Sequence, residues 1–130
     1  LKPFNTNGTA IMVPNQYKDM YELGVHKRGK RGAHKALVQV KPCQVYRDND
    51  LDDNYDYNKL SIQQGLFGLN IHRASSMFDI TGRIDSFSAG CQVFESKTSF
   101  ERFIERLEKT KLKTFSYTLI DEVQLVNSIK

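Results

Sequence analysis

Apolar positions along this chain fall in short runs broken by Gly, Pro and charged residues, and a helical period appears once. TAIMVP (9–14) reads as a short strand ended by Pro14. NQYKDM (15–20) suits a turn or a short helical piece, and YELGVHK (21–27) carries the aromatic and β-branched residues of a strand. ALVQV (36–40) and CQVYR (43–47) read as a hairpin or as two consecutive sheet strands joined across Lys41-Pro42. LSIQQG and LFGLNIH follow, with Gly65 and Gly68 as punctuation, and Thr81-Gly82 marks a turn in a stretch without periodicity. FSAGCQVF (87–94) opens in a tight turn and ends as a strand. The helical stretch is 99–110, where Phe100, Phe103, Ile104 and Leu107 form one apolar stripe. Thr98 before it and Glu101 three residues on make a capping-box pattern. Lys109 and Lys111 suit the negative end of the helix dipole. TFSYTLI (114–120) reads as a strand, and DEVQLVNSIK (121–130) as a short helix or a tail. Six or seven strands to one main helix predict an α+β, β-rich fold, a mixed sheet or β-sandwich.

Composition fits this picture and narrows it. The 130 residues suit a single domain, 1–130, with a real core. No apolar run approaches the ~20 residues that span a bilayer, so no membrane partner is expected. LKPFNTNG has no apolar leader run of the signal-peptide kind. The net charge of +4 is unevenly spread: HKRGKRGAHK (26–35) is basic and DNDLDDNYD (48–56) acidic. The basic cluster could meet an anionic polymer, but no aromatic pattern for base stacking interleaves it. A solvated loop is therefore expected, and nucleic acid is not an expected partner. His26 and His34 flank this loop and read as surface residues, the alternative being that they line a groove.

The acidic loop alternates oxygen donors, which suits a hard cation. Asp48, Asp50, Asp52 and Asp56 would be the ligands of a loose Ca²⁺ site, the alternative being a solvated acidic turn. Asp53 stands where an EF-hand needs Gly and Lys59 where it needs Glu, so a complete EF-hand is excluded. Two cysteines are too few for a disulfide framework. Cys43, beside Pro42, reads as a small buried apolar residue.

Cys91 is different. Ser88-Ala89-Gly90 before it lets the backbone turn sharply, which lifts a thiol from a strand end and aims backbone N–H groups at a developing oxyanion. A thiol is a useful nucleophile once ionised, and that needs a base or a positive field. His72, at the end of the run LFGLNI, is the candidate base, and Arg73 adds positive potential. Such chemistry needs no cofactor.

His72, fifteen residues, then Ser88-Ala89-Gly90-Cys91 resembles the signature of the L,D-transpeptidase catalytic domain (YkuD-like) family: a His, a gap of similar length, then Ser/Thr-His-Gly-Cys. VHKRGKRGAHKALVQV, VYRDND, GLFGLNIHRA and SAGCQVF, in that order, resemble a branch associated with tailed phages. The resemblance covers roughly residues 8–120 and implies further strands before GTAIMVP. It implies an acyl transfer on peptidoglycan stem peptides with Cys91 as nucleophile, His72 as base and the Arg73 backbone carbonyl orienting the imidazole. Gly90 would serve the turn and the oxyanion, Ser88 and Gln92 would contact substrate, and His26, in the stretch shared with that branch, would line the groove and touch substrate.

Three positions depart from the family pattern: Ala89 replaces the motif's second His, Gln92-Val93 follows the Cys, and His72-Arg73-Ala74 surrounds the base. A phage gains more by cutting a wall than by cross-linking it, so hydrolysis is the expected outcome. The alternative is a virion structural or assembly component that keeps the fold without the chemistry and partners other phage virion proteins. The expected place of action is the bacterial cell wall or the virion.

Overall fold

In the computed structural model the described residues are 9–48, 61–74 and 90–129, and they hold two sheets and two helices. The strands are β1 (Thr9–Met12), β2 (Asn15–His26), β3 (His34–Gln39), β4 (Cys43–Asp48), β5 (Gln63–Gly65), β6 (Ile71–Arg73), β7 (Gln92–Phe94) and β8 (Thr114–Leu119). The helices are α1 (Lys97–Lys109) and α2 (Glu122–Ser128). β1-β4-β5 form one sheet and β7-β6-β3-β2-β8 a second. All pairings are antiparallel except β6 with β7, so the larger sheet is mixed. The fold is α+β and strand-rich, as the apolar pattern predicts. The acidic loop beyond Asp48, the Thr81-Gly82 turn and Ser88-Ala89 lie outside the described residues.

Three expectations are corrected. Residues 15–20 are strand, the first half of β2, rather than a turn or helix. The pattern misleads because β2 is irregular: its register against β8 shifts between Tyr17 and Tyr21, with Asp19 at φ 53°. Ser116 Oγ accepts from the Asp19 N–H (3.0 Å), and Thr114 Oγ1 donates to Asp19 Oδ1 (2.8 Å), which fixes the kink. Second, of the two readings of β3 and β4 the hairpin fails: they are consecutive strands, and the chain changes sheets at Lys41-Pro42 between them. Third, α1 begins at Lys97, two residues early, because Ser96 caps it by accepting from the Ser99 N–H (3.2 Å). Glu101 does not close a capping box and instead approaches Lys97 Nζ at 3.8 Å.

The core lies where both sheets and α1 meet. Consecutive strand residues point to opposite faces, and Met20 and Tyr21 are both fully buried, so β2 is covered on both sides there. Ala10, Met12, Cys43 and Val45 come from the smaller sheet, Ala36, Leu37 and Ile71 from the larger, and Phe100 and Ile104 from α1. The predicted stripe is thus the face α1 buries, with Phe103 and Leu107 partly covered. Cys43 is buried, as predicted, and that burial pushes its thiol pKa up. α2, capped by Asp121, buries none of its residues.

One buried polar side chain ties the sheets to the segment 65–70. Gln39 Oε1 accepts from the N–H groups of Phe67 (3.2 Å) and Leu69 (3.0 Å). Its Nε2 donates to the carbonyls of Lys41 (3.0 Å) and Gly65 (3.2 Å) and to Cys43 Sγ (3.4 Å). Tyr21 adds a bond from its hydroxyl to the Leu69 carbonyl (2.9 Å), and burial raises its phenol pKa. Gln39→Leu strands the buried Leu69 N–H and the partly buried Phe67 N–H, each costing about 1–3 kcal/mol. Urea unfolding of this variant is expected to show a loss of about 3 kcal/mol; a loss below about 1 kcal/mol would mean that segment 65–70 is held by other contacts.

Candidate active site

His72 sits in β6, between β3 and β7, and is 2% exposed. Its ring nitrogen Nδ1 lies 2.9 Å from the carbonyl oxygen of Arg73. A carbonyl only accepts, so Nδ1 carries the proton and the neutral ring keeps its lone pair at Nε2. Nε2 is enclosed and has no hydrogen-bond partner among the described residues. A buried polar atom left without a partner is uncommon and calls for a functional or structural reason. Burial pushes the His72 pKa down, the Arg73 carbonyl opposes this, and His34 and Lys27 lower it further. The ring is neutral at neutral pH, the state a base needs.

The other two histidines are half-buried and gather against His72 rather than standing free on the surface. The antiparallel register of β2 and β3 places His26 opposite His34. The His26 ring lies flat on His72, with centroids 4.0 Å apart and planes 9° from parallel. His34 closes the cluster at 5.5 Å from His26 and 6.1 Å from His72. Its Nδ1 donates to the Gly32 carbonyl (2.8 Å), which leaves Nε2 to accept from the Arg73 N–H (3.4 Å). His34 thus ties the turn to the Arg73 N–H, and His72 holds the Arg73 carbonyl in the next peptide unit. The sequence carried a signal for this trio: His26 and His34 are equidistant from Lys30, so a hairpin centred there brings them together. Residues 27–33 of that turn are exposed, as a solvated loop should be.

Cys91 immediately precedes β7 and is partly exposed. β7 pairs in parallel with β6, with Ile71 opposite Gln92 and His72 opposite Val93. Cys91 thus enters the sheet beside the strand that carries His72, and by strand alternation on the same face. Its thiol donates to the Gly68 carbonyl (3.3 Å). The thiol makes no hydrogen bond to His72 Nε2 in this arrangement. Gly90 adopts φ 136°, and a Cβ there would meet the Ala10 carbonyl oxygen at 2.5 Å. Both the backbone conformation and the contact with β1 require glycine, which accounts for the turn. The Gln92 N–H donates to the Asn70 carbonyl (3.1 Å). Its side chain alternates away from His72 and lines an apolar cavity of about 480 Å³ with Leu37, Ile71, Phe103 and Phe115. Arg73 lines a second cavity of about 380 Å³ with His34, Lys35, Glu101 and Glu105.

Two groups of expected site residues cannot be placed. Ser88 lies outside the described residues, as do Asp50, Asp52 and Asp56; Asp48 ends β4, and its side chain is not described. Among the described residues, no group of three or more His, Cys, Asp or Glu is arranged to hold a metal ion. No described helix is long and apolar enough to cross a membrane. No protein-family model, curated protein or solved structure matches the chain.

The histidine cluster sets an acid limit on the fold. Burial, together with His72, His34 and Lys27, holds the His26 pKa to about 4, and His34 is also lowered, burial again the main cause. In the unfolded chain each titrates near 6.5. The unfolded state therefore binds more protons as pH falls from about 6.5 toward 4. The contribution of the cluster is complete above pH ~6.5 and is lost on acidification through that window. The melting temperature is expected to fall by roughly 5 °C or more between pH 7 and 4.5, and by less in His26→Gln. A thermal melt independent of pH over this range would contradict a neutral cluster.

Proposed function

We propose that this chain is a cysteine acyl-transfer enzyme of the L,D-transpeptidase-like type, acting on peptidoglycan stem peptides with hydrolysis as its main outcome. The observation that carries the reading is the tautomer lock on His72. A backbone carbonyl holds Nδ1–H, so the lone pair is reserved at Nε2. A half-exposed thiol on the adjacent parallel strand supplies the nucleophile. The order of motifs around His72 and Cys91, and the strand-rich α+β fold, support the same assignment.

The chemistry follows from these groups. The Cys91 thiol leaves the Gly68 carbonyl and passes its proton to His72 Nε2. The thiolate attacks the carbonyl carbon of a stem-peptide amide, and the tetrahedral oxyanion collapses to a thioester. The departing amine takes the proton back from the imidazolium. Water then attacks the thioester, gives a proton to His72, and releases the carboxylic acid and the thiol. An amine in place of water would yield a new peptide bond, and a His72 already protonated would block the first step.

Incubation with purified sacculi, followed by mass analysis of the stem peptides, tests the reading. New carboxyl ends are expected with the parent chain, and a rate lower by at least about 10³-fold with Cys91→Ala. Equal cleavage by Cys91→Ala, or no product from the parent chain, would remove it. In the latter case the virion-scaffold alternative gains.

A further inference from the structure

The chemistry above uses one histidine, yet three are gathered. We propose that His26 is a positioning residue for His72: its neutral ring is the π platform on which the His72 imidazolium forms when the thiol proton is transferred. This rests on the reading of Cys91 and His72 as nucleophile and base.

The hydrogen bonds around the pair are asymmetric, and that asymmetry carries the inference. Asn70 Oδ1 accepts from the Gln39 N–H (3.1 Å), which assigns the amide and turns its Nδ2 toward His26. Nδ2 lies 3.1 Å from His26 Nδ1, and an amide NH₂ only donates. His26 Nδ1 must therefore hold a lone pair, and the ring carries its proton on Nε2. Protonating His26 would set two donors against each other. At His72 the arrangement is opposite: Nδ1–H already donates to the Arg73 carbonyl, and such a bond strengthens when the ring is charged. A proton entering the stack thus goes to His72, while the amide keeps His26 neutral.

The result is a cation held flat on a neutral aromatic ring at 4.0 Å, shielded from water. Two other titratable groups bear on His72, His34 on β3 and Lys27 just after β2, and both oppose the imidazolium; the Arg73 side chain, next along β6, alternates to the other face. Cys91, on the next strand, becomes the compensating anion once its proton has moved. The platform acts where the remaining neighbours are unfavourable.

Titration of the three imidazoles by NMR tests this in the full chain. His26→Leu removes the π face and is expected to lower the His72 midpoint by about one pH unit. His26→Phe restores a π face without a titrating group and is expected to return the midpoint close to the parent value. Asn70→Asp replaces the amide donor by a carboxylate oxygen, so His26 should then titrate above His72, reversing the order. A His72 midpoint unmoved in His26→Leu, or equally lowered in His26→Phe, would overturn the proposal, as would an unchanged order in Asn70→Asp. If His26→Leu does not fold, the order of titration in Asn70→Asp decides alone. These readouts do not involve peptidoglycan, so an inactive parent chain with a π-dependent His72 midpoint refutes the proposed activity and leaves the platform standing.

Discussion

The parallel pairing of β6 with β7 is the constraint on which the site depends. It sets Cys91 at the entry of one strand and His72 in the next, by main-chain hydrogen bonds rather than by side-chain contact. Parallel neighbours cannot be joined by a tight turn and need a connection of about a dozen residues or more. The long gap between His72 and Ser88 is what such a crossover requires, so the spacing of the motif has a topological cause as well as a chemical one. A hairpin-length gap would have forced the strands antiparallel and changed which residues face each other.

Around that pairing, the rest of the fold holds the His72 ring still. Gln39 and Tyr21 pin segment 65–70, which supplies the Gly68 carbonyl to the thiol and Asn70 to His26. The β2–β3 hairpin brings two histidines against the third. His34 holds the Arg73 N–H while His72 holds its carbonyl, so the two peptide units that flank the Arg73 Cα are each fixed by a histidine. The exposed ion pair between Lys35 and Glu108 (2.9 Å) joins β3 to α1 but contributes little by comparison, since both groups are largely solvated. Gly90 is the complementary constraint on the thiol side, because its approach to β1 leaves no room for a Cβ.

Much of this was legible in the residues. The stripe Phe100, Phe103, Ile104, Leu107 marked the helix and its buried face, and short apolar runs marked most strands. Cys43 beside Pro42 read correctly as buried. What was missed has physical reasons. The bulge at Asp19 breaks the two-residue alternation, so the first half of β2 looked like a turn. The capping signal chose Thr98 because Glu101 follows it, whereas Ser96 caps two residues earlier with a serine three residues on. Local pattern cannot say whether β3 and β4 share a sheet, since that is decided by the packing of Val45 and Cys43 against the other layer. At the site, Cys91, His72 and the Arg73 main chain were named from the motif, but His26 and His34 looked like polar residues beside a basic loop. Their clustering with His72 follows from a long-range pairing that charge and composition do not encode.

The central claim is that His72 is the base for Cys91. The most direct test is the rate of Cys91 alkylation by iodoacetamide, located by mass analysis, across about pH 5 to 9 in the parent chain and in His72→Ala. A free thiol ionises near pH 8.5. The account predicts that the parent chain reacts well below that value and that His72→Ala shifts the profile up toward it. Superimposable profiles would contradict it.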